Sequence, residues 1–179
     1  MTPWFFGYGS LVNTATHSYP AARPARLAGY RRIWVAAERA DVVYLSVHAA
    51  EGGQIDGLVA QVPGADWAAL DVRETGYTRH DVTAHVSTSD ATGPVAVYQV
   101  PSETTQTANG HHILLSYLDV VVQGFLREFG QAGAEAFFAT TDNWHIPVQD
   151  DRASPRYPRA QRLTSQEQAL TERLLAQVQ

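Results

Sequence analysis

Cysteine and lysine are both absent from the 179 residues, and a single methionine opens the chain. Without cysteine there is no disulfide, no thiolate nucleophile and no cysteine-ligated metal, and the redox compartment is left open. Without lysine, a phosphate-binding loop of the Walker kind has no cation to offer. All 13 basic residues are arginines, scattered along the chain and outnumbered by 18 acidic residues for a net charge of −5, which argues against a nucleic-acid partner. Long apolar runs are missing too. The most hydrophobic stretch, residues 113–126, is interrupted by Ser116, Asp119 and Gln123 and falls short of the ~20 apolar residues that a membrane span needs. The first residues, MTPWFFGYGSLV, lack the basic start and long apolar core of a signal peptide. The expectation is a soluble, cytoplasmic protein with no membrane partner, folded as one domain over residues 1–179.

What is present is a strand-rich first part and a helical second part. Trp4 to Tyr8 reads as a short aromatic strand. Leu27 to Ala37 and Val42 to His48 are rich in β-branched and aromatic residues and flank the charged segment ERAD, which predicts a hairpin. Gly53 to Val62 alternates as a strand with one buried face, and Pro63-Gly64 stops it. Ala65 to Arg73 predicts a short helix that buries Trp67 and Leu70, with Asp66 in its first turn and Gly76 ending it. His80 to Thr88 and Pro94 to Val100 read as two further strands about a turn, DATG.

After the polar loop 101–111, Ile113, Tyr117, Val121 and Phe125 fall on one wide apolar helical face. A second helix, Gln131 to Ala139, follows Gly130. Residues 140–163 hold Trp144, three prolines and four arginines and are too long for an ordinary connection, so they are either functional or draped over the core. The last helix begins after Thr164 or Ser165, with Glu167 or Gln168 placed for a capping box. Six mostly antiparallel strands followed by helices define an α+β fold whose short crossings suit a small β-barrel.

Familiar readings of Gly7-Tyr8-Gly9-Ser10 fail by spacing. A dinucleotide fingerprint or a nucleophile elbow needs glycine at position 12, where Val12 stands. His111-His112 and His145 do not have metal-ligand spacing and read as solvated loop residues, and Asp150-Asp151 reads as a charged loop. The other informative stretch is LDVRETGYTR, residues 70–79, where Glu74 sits at an element end beside a glycine turn, a placement open either to a surface ion pair with an arginine or to a preorganised acid or base.

Taken together and in order, FGYGSL, IDGLVAQVP and LDVRETGYTR resemble the γ-glutamylcyclotransferase-like superfamily, including its ChaC-type glutathione-degrading enzymes, over roughly residues 4–100. Here Val12-Asn13 follows the YGSL motif where ChaC-type enzymes carry Ile-Trp, and the RETGY loop is one residue shorter than theirs. The resemblance implies a small β-barrel flanked by helices. It implies that the turn at Tyr8, Gly9, Ser10 and Leu11 offers backbone amides to a substrate, that Glu74 is the catalytic carboxylate and that Tyr98 lines the site. The implied reaction closes a γ-glutamyl group into 5-oxoproline and releases an amine or amino acid, with no external nucleophile, metal or cofactor. The partner is then a small γ-glutamyl compound. Two other readings stay open on the sequence: a non-catalytic small-molecule-binding domain on the same fold, and a serine hydrolase using Ser10.

Overall fold

A computed structural model describes residues 1–37, 41–88, 93–102, 105–106 and 110–179. At its centre lies β1, Trp4–Gly7, buried along its whole length. It pairs antiparallel with β3, Val43–Gln61, and parallel with β6, Val95–Gln99. A central strand covered on both faces has no solvent side to make polar, hence WFFG. Phe6 faces the main core with Val59 and Val97, whereas Phe5 joins a smaller cluster with Ala60, Val62, Leu70 and Tyr98. From Gly57 to Ala60 the strand is therefore buried on both faces, not on the one that the alternation of 53–62 predicts.

The long hairpin of β2, Arg23–Ala37, against β3 pairs antiparallel from Arg23 opposite Val59 to Ala36 opposite Val43. Its tip, Glu38 to Ala40 of the expected ERAD turn, lies outside the described residues, as does most of the expected DATG turn. The strands expected at 42–48 and 53–62 are one element. Between the paired positions Tyr30–Ala49 and Ala28–Gln54 the register shifts, with Gly29 (φ 79°) and Gly52 (φ 71°) in the left-handed region. The glycines there make a bulge, which bends a strand without ending it.

The expected strand at 80–88 is divided. β4, Thr78–Asp81, pairs with β6, a single 3₁₀ turn follows, and β5, Val86–Ser87, pairs with β2. The strand order β4-β6-β1-β3-β2-β5, joined at β2 by β7 (Thr105–Gln106) and β9 (Thr141–Asp142), forms a curled half-barrel, the open counterpart of the expected barrel. A second, two-stranded parallel pair joins β8, Ile113–Leu114, to β10, Val148–Gln149.

Three helices complete the α+β fold: α1, Ala68–Arg73; α2, Leu115–Ala139; and α3, Ser165–Leu175. Within α2, Gly130 (φ 69°, ψ −171°) interrupts the helical backbone, so the division expected at that glycine is present as a kink. α3 opens on a capping box in which the Thr164 hydroxyl accepts from the Glu167 amide and the Glu167 carboxylate accepts from the Thr164 amide. Among the described residues no helix is long and apolar enough to cross a membrane.

Candidate active site

β1 ends at Gly7, and the chain turns at once into a one-turn 3₁₀ helix, Ser10–Val12. Each carbonyl of that turn is already taken. The Tyr8 carbonyl accepts from the Arg32 guanidinium at 2.8 Å, and the Gly9 carbonyl from the Val12 amide at 2.9 Å. The Ser10 carbonyl accepts from the Asn13 amide and the Thr16 hydroxyl, both at 3.1 Å, and the Leu11 carbonyl from the His17 ring at 2.9 Å. A helical turn leaves its first amides without acceptors inside the helix. Among the described residues the Gly9 and Leu11 amides donate to no backbone carbonyl.

The turn is seated firmly. Asn13, 1% exposed, donates from its side chain to the Val120 carbonyl and to Gln123 of α2, each at 2.9 Å. Gly124 admits this contact, since a Cβ there would stand 2.7 Å from the Asn13 nitrogen. Gly9 is required for a similar reason: its Cβ would lie 2.7 Å from the Tyr117 hydroxyl and 3.0 Å from Leu45. Arg32 is buried beneath the turn, with the rings of Phe125 and Phe137 on its guanidinium; it also donates to the Asp56 carbonyl and the Thr140 hydroxyl. Burial pushes its pKa down to about 9, so it keeps its charge at neutral pH.

Glu74 caps the C-terminal end of α1. The Leu70 carbonyl accepts its amide at 2.9 Å, and its own carbonyl accepts from Tyr77 at 3.0 Å across a turn that passes through Gly76 at φ 95°. Its side chain is 17% exposed and pairs with Arg73 at 3.3 Å. Burial raises the carboxyl pKa above the ordinary glutamate value, while Arg73 and then Arg159 draw it back. Arg73 is fixed from the other side by the Thr16 carbonyl and hydroxyl, which ties α1 to the segment after the turn.

Gly7 to Leu11 and Glu74 line one recess of about 30 Å³, together with Tyr77, Tyr98, Tyr117 and Leu45. The recess adjoins a cleft of about 280 Å³ that shares Ser10, Leu45, Glu74, Tyr77 and Tyr117 with it. The cleft is near the lower end of ordinary small-molecule sites. Desolvation raises the pKa of the Tyr8, Tyr77 and Tyr117 phenols, with the nearby Glu74 charge adding to it, so all three are neutral at physiological pH. Tyr77 donates its hydroxyl to the Leu45 carbonyl at 3.0 Å, and the Tyr117 ring stands edge-on to Tyr157 at 5.0 Å.

Every residue that the sequence nominates lies at this recess, but with different parts turned to it. Gly9, Ser10 and Leu11 form the turn itself. The Tyr8 side chain is spent in the core, its hydroxyl donating to the carbonyls of Tyr98 at 2.7 Å and Leu45 at 3.3 Å. Tyr98 is a wall, its hydroxyl committed to Asp71 at 2.5 Å. Neither nitrogen of His17 is free to serve Ser10 as a base: one donates to the Leu11 carbonyl and the other accepts from the Tyr19 amide at 3.2 Å. Among the described residues no three His, Asp or Glu side chains gather as a metal site.

The residues that sequence reasoning leaves out are Tyr77 and Tyr117, and it leaves open the role of the 140–163 segment. Tyr77 lies inside the quoted LDVRETGYTR motif, whereas Tyr117 reads as one more member of an apolar helical stripe. The 140–163 segment divides in two. Trp144 and Ile146 are buried in the main core, and Arg156 to Arg159 line the cleft. Asp151, expected in a charged loop, is 7% exposed and caps the start of α2, accepting from the Ser116 amide at 2.8 Å and hydroxyl at 2.6 Å.

A family model described as ChaC-like protein matches residues 3–113. No curated protein sequence matches the chain. Solved structures share the fold at low identity. A γ-glutamyl cyclotransferase superposes with a TM-score of 0.62 at 15% identity over 95% of this chain and 98% of its own. An uncharacterized human protein gives 0.62 at 16%, over 94% and 97%. YkqA from Bacillus subtilis gives 0.61 at 17%, over 83% of this chain and 56% of its own.

Proposed function

The chain belongs to the ChaC-like family, and from that premise we propose that it is a γ-glutamyl cyclotransferase acting on a small γ-glutamyl compound. The observation that carries this reading is the mostly buried Glu74 carboxyl in one recess with the Gly7–Leu11 turn. In the reaction, the substrate's α-amine attacks its own γ-carbonyl. A carbon–nitrogen bond closes the five-membered ring, the original amide bond breaks, and 5-oxoproline leaves with a free amine or amino acid.

The α-amine is protonated near neutral pH, and Glu74 takes a proton from it. The same carboxyl returns a proton to the departing nitrogen, so one group is base and then acid. A raised pKa suits that double duty, because it brings the carboxyl closer to the working pH. The turn amides suit the substrate's carboxylate and the oxygen that becomes negative as the ring closes; removing one such donor typically costs about 3 to 4 kcal/mol of barrier. Because nucleophile and carbonyl belong to one flexible molecule, holding the cyclising conformer supplies much of the acceleration.

The test is to incubate the protein with γ-glutamyl dipeptides, glutathione and γ-glutamylamines and assay 5-oxoproline. Glu74→Gln lowers turnover roughly 100- to 10,000-fold on this account. Undiminished turnover in Glu74→Gln removes the glutamate from the mechanism.

A further inference from the structure

The cleft has a second end that the cyclisation leaves unused. Ring closure is confined to the glutamyl group and needs only Glu74 and the turn. The departing group must then lie outward, in the part of the cleft lined by Val42, Val43, Tyr44, Leu114, Tyr157 and Pro158. The cations that line this cleft are Arg73, Arg156 and Arg159.

Two of the three are occupied. Arg73 is held by Glu74 and by Thr16. Arg156 makes a two-pronged pair with Asp41, at 2.5 and 3.1 Å, and donates to Gln149 at 2.9 Å. Among the described residues the Arg159 guanidinium has neither an ion pair nor a hydrogen bond, although it is near enough to Glu74 to lower that carboxyl's pKa. Its backbone is nonetheless fixed in place. Asp151 accepts from the Arg156 amide at 2.9 Å, the Tyr157 ring rests against Tyr117, and the Ala160 amide closes a turn on the Tyr157 carbonyl at 3.1 Å. The result, among the described residues, is a cation without a hydrogen-bonded partner on a pinned segment, in a part of the cleft where Val42, Val43, Tyr44, Leu114, Tyr157 and Pro158 are its neighbours in the lining.

Resting on the cyclotransferase reading above, we propose that Arg159 determines the leaving-group specificity by pairing with a carboxylate on the departing amine. The substrates so selected are γ-glutamyl amino acids or peptides rather than γ-glutamylamines. A guanidinium presents two parallel donors that match a carboxylate, and hydrogen bonds to a charged partner are stronger than neutral ones. The valine, leucine and tyrosine walls accommodate the side chain of the released amino acid.

The isosteric pair γ-glutamyl-alanine and γ-glutamyl-alaninamide, which differ only in the terminal carboxylate, isolates this contact. With Arg159→Gln, kcat/KM for the acid falls roughly 10- to 100-fold while that for the amide stays within about twofold, and Arg159→Lys restores part of the preference. Equal losses on both compounds, or no loss on either, overturn the assignment. Calorimetric binding of the same pair to Glu74→Gln protein, with and without Arg159→Gln, reads the contact apart from turnover. Loss of binding confined to the acid supports Arg159 even if the wild-type protein makes no 5-oxoproline, an outcome that defeats only the cyclisation reading. Binding indifferent to the carboxylate overturns the Arg159 assignment and leaves cyclisation standing, and failure of the wild-type protein to bind or turn over either compound overturns both.

Discussion

Burial raises the Glu74 pKa, so the native chain holds a proton there up to a higher pH than the unfolded chain, whose value is near 4.5. Between those two values the native state binds more protons, and stability falls as pH rises through the window; above it the penalty persists in full. Glu74→Gln removes a charge that folding disfavours. At pH 7 its melting temperature is expected to equal or exceed that of the wild type, with the difference vanishing at pH values below the unfolded glutamate pKa. A clear loss of stability at pH 7 contradicts this, and scanning fluorimetry at both pH values decides it. On the proposed role of Glu74, the same shift is expected to place the acidic limb of the kcat/KM profile above the ordinary glutamate value. Glu74 and Ser10 are legible in the sequence because each sits in a short contiguous motif. Tyr117 and Arg159 are not: Tyr117 shares its spacing with Ile113 and Val121 and reads as core, and Arg159 comes to the cleft only through contacts made by Asp151 and Tyr157.

The turn between β1 and α2 depends on two close approaches, Gly9 to Tyr117 and Gly124 to Asn13. Gly9→Ala places a methyl group against the Tyr117 hydroxyl, an overpacking that costs about 1 to 3 kcal/mol of stability. Tyr117→Phe removes the clashing oxygen, so the double variant is expected to recover part of that loss, which denaturant titration of the four proteins measures. Lack of any recovery contradicts the contact. Asp151 holds the other end of this arrangement by accepting from the Ser116 amide and hydroxyl at the start of α2. Asp151→Ala is expected to cost about 1 to 2 kcal/mol, in the range of a lost helix cap, with chemical denaturation as the check. Sequence periodicity places most elements well but misjudges two kinds of feature. Val42 to His48 and Gly53 to Val62 read as two strands and are one, since pairing with β2 carries the strand through the irregularity at Gly52. The 53–62 segment reads as one-sided because alternation cannot register the second cluster behind it, which Phe5 and Leu70 supply.

Across the molecule, the site is assembled from distant parts of the chain. The ChaC-like match ends at residue 113, whereas Tyr117, Tyr157 and Arg159 lie beyond it and wall the cleft. Trp144, Ile146, Leu170 and Leu174 share the main core with β1, β2 and β3, so the segment that walls the cleft is anchored in the same packing as the sheet that carries the turn. That is why the curled sheet and the three motifs are legible from the first 100 residues while the outer cleft is not. On the proposed function, the glutamyl group binds at the end of β1 beside the Glu74 carboxyl at the end of α1, and the departing group lies toward Arg159. The most direct test uses γ-glutamyl-alanine carrying ¹⁵N in its α-amino group, with products identified by mass spectrometry. The account predicts 5-oxoproline that retains the label in its ring together with unlabelled alanine, formed by the wild type and strongly reduced in Glu74→Gln. Labelled free glutamate in place of 5-oxoproline would mean attack by water on the γ-carbonyl and would contradict it.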